Sequence, residues 1–226
     1  MSEFLRILEN EVQLVCLAFL LIVYIIRIFW LFRFSSMKER TYPAGNSASG
    51  IVYSMMNIAM PWAMESVRKK PGFYVQFVIF HVGVVFAIGA TFIIPYWPEI
   101  FETKPVVFMF QLVVGAAFIV GLYRLYRRIS SPAMRMISSG DDYFSLALMI
   151  SYFAVAVWAM PNNYIRNELP LILFFALTAL FLVYVPFSKI GHYLYYPFTR
   201  FFLGRTMGHR GVGPRKKQDK NQTKYE

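Results

Sequence analysis

The sequence is poor in charge, in cysteine and in histidine, and each shortage excludes a class of protein. Only 15% of the 226 residues are charged, whereas soluble domains carry about 25% because their surfaces must be solvated. The apolar fraction is 58% and the mean hydropathy is +0.48. Since the chain has too little charge to cover a globule in water, we predict a membrane protein.

The shortage of cysteine limits the chemistry that the chain can support. Cys16 is the single cysteine, so there is no disulfide framework and no thiolate set for zinc or an iron–sulfur cluster. The sequence contains no P-loop, no dinucleotide-binding fingerprint and no usable Ser/His/Asp arrangement. We therefore assign no catalytic residues. Any metal would depend on the three histidines, His81, His192 and His209.

Long apolar runs are the dominant feature of the sequence. A helix needs about 20 apolar residues to cross the hydrocarbon core of a bilayer, and five runs approach that length. We predict an all-α, polytopic five-transmembrane-helix bundle that occupies residues 1–200, followed by a basic cytoplasmic tail over residues 201–226. The predicted spans cover residues 12–32, 74–97, 106–123, 143–160 and 169–190.

The distribution of the basic residues predicts the orientation of these spans. The net charge is +11, and 19 of the 23 lysines and arginines fall in segments that would share one side of the membrane. The other side carries only Arg6, Lys104 and Arg166. Because cytoplasmic loops are enriched in lysine and arginine, we expect a periplasmic N-terminus and a cytoplasmic C-terminus. This bias explains the positive charge without nucleic acid as a partner.

The first predicted cytoplasmic loop contains a segment that is not simply polar. Residues 51–64 (IVYSMMNIAMPWAM) hold four of the twelve methionines and one tryptophan. A segment of this composition next to a bilayer is typical of a helix that lies in the membrane interface. Methionine-rich surfaces are also adaptable docking sites. The segment could therefore equally serve as a docking surface for a cytoplasmic subunit.

Two of the histidines lie at similar predicted depth. His81 is about seven residues, or roughly 10 Å, inside the cytoplasmic end of span two, and His192 is at the cytoplasmic end of span five. Facing helices of a bundle can supply two axial nitrogens to a heme iron. An interhelical hydrogen bond or a step in a proton path would explain the same positions. His209 is predicted to be an exposed residue of the tail.

The motifs around these histidines resemble a known family. The sequences FHVGVVFAIGATFIIPYW (Phe80–Trp97) and PFSKIGH (Pro186–His192) are similar to the gamma subunit of respiratory nitrate reductase, and so is the Tyr126-Arg127-Arg128 segment with the following Pro132 and Arg135. That family is a cytochrome b of the bacterial inner membrane, which passes electrons to a cytoplasmic iron–sulfur subunit. The resemblance covers most of the chain and implies an electron-transfer subunit, not an enzyme by itself.

The C-terminal motif HYLYYPFTRFFLGRTMGHRGVGPR differs from the nitrate reductase subunits. It resembles the gamma-like subunits of the high-molecular-weight cytochrome c complexes of sulfate-reducing bacteria. This resemblance implies other membrane subunits, a periplasmic multiheme cytochrome c and a cytoplasmic iron–sulfur subunit as partners, with menaquinone as a further electron carrier.

The resemblance also implies which cofactor is bound. The family holds two b hemes with four histidines, and the positions of the outer pair correspond here to Thr91 and Phe174. Neither residue is an ordinary heme ligand. The resemblance therefore implies one heme b, on the cytoplasmic side, with His81 and His192 as the axial ligands of its iron.

Two arginines are candidate partners for the heme propionates. Arg27 is a basic residue inside span one, and Arg124 begins the basic cluster at the end of span three. Arg27 could equally extend its guanidinium toward the interface, and arginines at a cytoplasmic helix end commonly set topology. As alternatives for the whole chain, we consider a heme-free membrane anchor that docks soluble redox subunits and, less favoured by the pattern, a small transporter.

Overall fold

The structure is a computed structural model that describes residues 1–34 and 39–212, apart from the side chain of Ser66. Within these residues it is all-helical, as predicted, and five helices are long and apolar enough to cross a membrane. The long helices are α1 (Glu3–Arg33), α2 (Ser47–Met56), α3 (Pro71–Tyr96), α4 (Lys104–Ser130), α5 (Gly140–Ala159), α6 (Leu169–Tyr184) and α7 (His192–His209).

The chain divides into two compact units. The first comprises Met1–Arg33 and Gly72–Gly191, and it holds the five candidate spans. Its outward faces are apolar: Phe29 is 74% exposed, and Val85 and Ile119 are each 66% exposed. Exposed apolar surface on this scale is costly in water but not in lipid. The first unit therefore has the character of a multi-pass membrane protein.

Helix α1 begins earlier than the apolar run that predicted it. Ser2 caps the helix by accepting a hydrogen bond from the Leu5 N–H at 3.2 Å, so the helix includes the acidic residues before the run. A π-helical turn follows at Leu8–Val12. The side chain of Gln13 donates to the Leu8 carbonyl at 3.2 Å and to the Phe175 carbonyl of α6 at 2.8 Å. The turn is therefore anchored to a neighbouring span.

The ends of the other spans are determined by residues with known preferences for helix termini. Helix α4 continues to Ser130, seven residues past its predicted end, because Arg127 and Arg128 are favourable at a helix C-terminus. Helix α5 starts with a capping box between Ser139 and Asp142, as the serines and aspartates there predicted. Helix α6 gives way to a 3-10 turn at Val185–Phe187, which contains Pro186.

The interior of the first unit contains large aromatic side chains, and small residues where two helices touch. Phe153, Phe174 and Phe175 are fully buried. A Cβ atom added to Gly83 of α3 would overlap the Cβ of Ala117 of α4, so the absence of a side chain at Gly83 lets these two helices touch.

The second unit comprises Phe34–Pro71 and the chain from His192 onward. Helices α2 and α7 pack against each other through glycines. A Cβ on Gly204 would lie 2.5 Å from the Gly50 carbonyl oxygen, and a Cβ on Gly208 would lie 2.5 Å from the Asn46 carbonyl oxygen. The two backbones are therefore in direct contact, as in the small-residue helix pairs of membrane proteins.

Residues that we predicted as interface and tail form this helix pair. Residues 51–64 complete α2 and continue through 3-10 turns at Asn57–Ala59 and Pro61–Ala63. Residues 201–209, at the start of the predicted tail, are the last turns of α7. Gly211 ends that helix in the left-handed region, with a φ of 71°. The remainder of the predicted tail, from residue 213, lies outside the described residues.

Candidate functional site

His81 lies in the middle of α3 and is held by its own helix. Its Nδ1 is 2.7 Å from the carbonyl oxygen of Phe77, one turn earlier. A carbonyl oxygen can only accept, so Nδ1 carries the proton and donates it, which leaves the lone pair on Nε2. The Phe77 ring also packs against the imidazole, with 4.1 Å between ring centroids. The hydrogen bond sets the tautomer and the ring contact restricts the orientation of the imidazole, as in histidines that bind metals.

Arg124 lies close to the same part of α3. Its guanidinium is 4.9 Å from the ring centroid of Phe80, the residue before His81. The Phe80 ring in turn meets His81 at 6.1 Å and the buried Phe153 ring at 5.3 Å. The structure therefore brings the predicted residues His81 and Arg124 close to the same phenylalanine, Phe80.

The other predicted propionate partner, Arg27, occupies a different position. Its guanidinium is 5.5 Å from the ring centroid of Phe187, in the turn after α6. The contact is a cation–π interaction between the first and last spans. Lys189, another cation near His192 in sequence, donates to Asp142 at 2.6 Å and to the Ser139 hydroxyl at 2.8 Å. Lys189 thus stabilises the start of α5.

His192 is the first residue of α7 and belongs to the second unit, whereas His81 belongs to the first. The side chain of His192 is exposed. The sequence predicted His192 at the cytoplasmic end of span five, but the α-helical part of that span ends at Tyr184. The third histidine, His209, is half-buried, and its Nε2 donates to the Thr41 carbonyl at 2.8 Å.

The positions that correspond to the outer heme ligands of the resembling family are filled by packed side chains. Thr91 is buried and its hydroxyl donates to the Ile88 carbonyl at 2.7 Å. Phe174 is fully buried and stacks on Tyr152 of α5, with 5.4 Å between centroids and 9° between planes. No histidine or other ordinary heme ligand occupies either position.

Tyr152 was not singled out by the sequence, yet it joins three spans. Its hydroxyl donates to the Ala87 carbonyl of α3 at 3.3 Å and accepts from the Thr178 hydroxyl of α6 at 3.5 Å. Its ring contacts Phe174 and Phe181. One tyrosine in an apolar run carries no local signal of this role, because the role depends on which helices become neighbours.

Comparison with known proteins gives one weak relationship. A protein of Nitratidesulfovibrio vulgaris strain Hildenborough is 29% identical over 167 residues, which cover 69% of this chain and 70% of the relative. Its name, "Protein", states no activity. No protein-family profile matches the chain, and no solved structure matches it.

Proposed function

We propose that the protein is a heme b electron-transfer subunit of a membrane-bound respiratory redox complex. In this proposal one heme lies on the cytoplasmic side of the bacterial inner membrane, with His81 and His192 as axial ligands. The observation that carries the proposal is the tautomer of His81: the Nδ1–H···Phe77 hydrogen bond places the lone pair on Nε2, the nitrogen that would bind an iron.

The residues present fit one heme better than two. Tyr152 and Phe174 stack tightly inside the bundle and Thr91 is hydrogen-bonded to its own helix, so the outer positions offer packed apolar surface and no imidazole. A second heme would have to displace this core. These contacts support the loss of the outer heme that the resemblance implies.

A bound heme b would supply a one-electron carrier inside the low-dielectric bundle. The chain's own residues would orient and tune that carrier. His81 presents its lone pair in a fixed orientation, and the Arg124 cation beside Phe80 offers a counter-charge for a propionate. We rank Arg27 second, because its guanidinium already lies over Phe187.

The electron donor and acceptor are part of the same proposal. We propose that the heme relays electrons between a cytoplasmic iron–sulfur subunit and either a quinone such as menaquinone or a periplasmic multiheme cytochrome c. Other membrane subunits belong to the same complex. A single heme on one side of an approximately 30 Å hydrocarbon core leaves a long gap to the other face. A quinone site or a partner subunit must therefore complete the path.

Heme stoichiometry of the purified full chain, with a dithionite-reduced minus oxidised spectrum, tests the proposal. We expect one b-type heme per chain, lost in His81→Ala and in His192→Ala. His209→Ala is the matched control, because it removes an imidazole that donates to the Thr41 carbonyl, and it should keep the heme. A native protein without heme would overturn the proposal, and two hemes per chain would overturn the one-heme assignment.

A heme-free membrane anchor for soluble redox subunits is the second candidate. The observation that favours it is the position of His192, an exposed side chain at the first residue of a helix in the second unit. An anchor needs only the five spans and a docking surface. The same spectrum separates the two functions, since an anchor shows no α-band in the native protein.

A further inference from the structure

The buried side of the first turns of α1 contains a carboxyl group. The buried residues of this stretch are Leu5, Leu8, Glu9 and Gln13, and Glu9 is 7% exposed. Leu5 and Leu8 belong to the apolar core of the first unit. The Glu9 side chain therefore lies among the residues that α1 turns toward the bundle, where glutamate is rarely found unless it is paired.

The Glu9 carboxylate is unpaired in the described part of the chain, since no hydrogen bond and no ion pair reaches it from residues 1–34 or 39–212. Arg6 is the nearest cation in the sequence, three residues earlier, and its side chain is exposed. Asn10, the following residue, donates its side-chain amide to the Arg6 carbonyl at 3.1 Å. The segment itself therefore provides no compensation for a negative charge at Glu9.

The helix that packs against this turn, α6, provides no compensating charge either. The two are joined by the hydrogen bond from the Gln13 side chain to the Phe175 carbonyl, at 2.8 Å. Residues 169–183 of α6 include no ionisable side chain, and Tyr184 is at the opposite end of that helix. The surroundings of Glu9 on the α6 side are therefore apolar apart from the backbone.

The other acidic groups near this end of the bundle increase the cost of a second negative charge. Glu3 and Glu11, on the same turns of α1, are exposed. Glu168 precedes α6, and its carboxylate accepts from the Ser2 N–H at 2.5 Å and lies 3.6 Å from the amino group of Met1. The terminal amine is thus engaged by Glu168, so it is not the counter-ion of Glu9.

A buried carboxyl without a counter-charge is more stable with a bound proton than as an ion, because ionisation would leave a bare negative charge in apolar surroundings. Ionisable residues inside membrane bundles commonly mark proton paths, and π-helical turns are frequent at functional sites. We propose that Glu9 is a proton-binding site of the first unit, which takes up and releases a proton at the end of the bundle where α1 and α6 begin. The site does not depend on the proposed heme, since it involves residues of α1 and α6 only.

Reaction of the full chain with dicyclohexylcarbodiimide in detergent at pH 7.5 tests this proposal. The O–H of a protonated carboxyl adds across a C=N bond of this apolar reagent and the adduct rearranges to a stable N-acylurea, with no leaving group. Carboxyl groups in water are ionised at this pH and do not react, so peptide mass spectrometry should find at least about tenfold more adduct on Glu9 than on Glu11. Glu9→Gln should lose the adduct, and Glu11→Gln is the matched control from the same turn.

An infrared spectrum provides a second readout that does not require the reagent to reach the site. We expect a carboxylic C=O stretching band at pH 7.5 in the wild type and in Glu11→Gln, and its absence in Glu9→Gln. The adduct yield on wild-type Glu9 should fall as the pH is raised from 7 to 10, which needs no variant to fold. A chain with neither adduct nor band, equal labelling of Glu9 and Glu11, or a yield that does not change with pH would each overturn the proposal. Suppression of the labelling by sodium ions at constant pH would identify a metal-cation site instead and would overturn it as well.

Discussion

At the residue scale, Tyr152 shows how one side chain can fix the arrangement of several spans. Its ring is 4% exposed, and its hydroxyl contacts the backbone of α3 and the Thr178 side chain of α6. A polar group inside a bundle finds few alternative partners, so its hydrogen bonds select one packing of the helices.

Replacing Tyr152 separates the contribution of its hydroxyl from that of its ring. Tyr152→Phe should lower the free energy of unfolding by about 1 kcal/mol, and Tyr152→Ala by about 3–5 kcal/mol because a cavity replaces the ring. Thermal unfolding of the full chain in detergent micelles measures both. Tyr126→Phe is the control, since Tyr126 is 68% exposed. Similar losses for Tyr126→Phe and Tyr152→Phe would contradict this role.

Glu39 gives a residue-scale prediction for pH. The Thr41 hydroxyl donates to its carboxylate at 3.0 Å, and the Arg210 guanidinium lies 2.9 Å away. These contacts, the Thr41 hydroxyl first, hold the pKa of Glu39 below its usual range. Because the folded pKa is lowered, the stabilisation is complete above the ordinary glutamate pKa of about 4.3. It is lost as the pH falls from there through the lower folded pKa.

Hydrogen exchange of the Ala44 and Gly45 amides, which donate to the His209 carbonyl, reports on this contact. We expect their protection to fall as the pH drops from 6 to 3.5, and Glu39→Gln to be less protected at pH 6 with little further change. Glu65→Gln, on an exposed pair with Lys69, should keep the wild-type profile. Protection that is independent of pH in the wild type would refute the prediction.

At the element scale, the spans and the α2–α7 pair differ in how far the sequence predicts them. Five apolar runs were enough to find five spans, because length and hydropathy are local properties. The helix pair has no such run. The spacing of Gly204 and Gly208 at i and i+4 is a sequence signal for close helix packing. The glycine that they contact, Gly50, is about 150 residues earlier, and the spacing alone does not identify this partner.

Substitution of Gly50 tests that pair. In Gly50→Val the added Cβ would overlap the Gly204 carbonyl oxygen, and it would lie 2.6 Å from the Gly208 Cα. The helices must then separate, so we expect proteolysis within α2 and α7 to increase. Gly115→Ala is the control, because nothing lies within 4 Å of its added Cβ. It should be neutral or stabilising by about 0.5–1 kcal/mol. Unchanged proteolysis of Gly50→Val would argue against direct backbone contact.

The candidate site was predictable from the sequence only in part. The sequence predicted His81 and Arg124 as site residues, and the fold places both beside Phe80. The sequence did not identify Phe77, whose carbonyl sets the His81 tautomer, because a backbone acceptor leaves no mark in the residue type. The contact between Gly50 and Gly204 could not be predicted either, since it depends on a helix pair formed by distant segments.

At the scale of the whole molecule, the orientation in the membrane remains a prediction from charge. Two residues of equal exposure allow a matched test: Met136, between α4 and α5, and Ile165, between α5 and α6, are each 87% exposed. The distribution of basic residues predicts that the loop with Met136 is cytoplasmic and that the loop with Ile165 is periplasmic.

Cysteine labelling decides between the two orientations. In a Cys16→Ser background, Ile165→Cys should react with a membrane-impermeant maleimide in intact cells, and Met136→Cys should react only after permeabilisation. Labelling of Met136→Cys alone in intact cells would reverse the predicted topology. Equal labelling of both loops in intact cells would rule out a membrane-spanning α5.

The π-helical turn of α1 also affects how related sequences should be compared. A π turn contains one residue more than an α-helical turn, while Leu5 before it and Gln13 after it are both buried. Deleting one residue there, such as Glu11, would give a continuous α-helix that still directs both flanking side chains inward. A relative one residue shorter in this segment can therefore share the same first span, and its alignment gap belongs within residues 8–12.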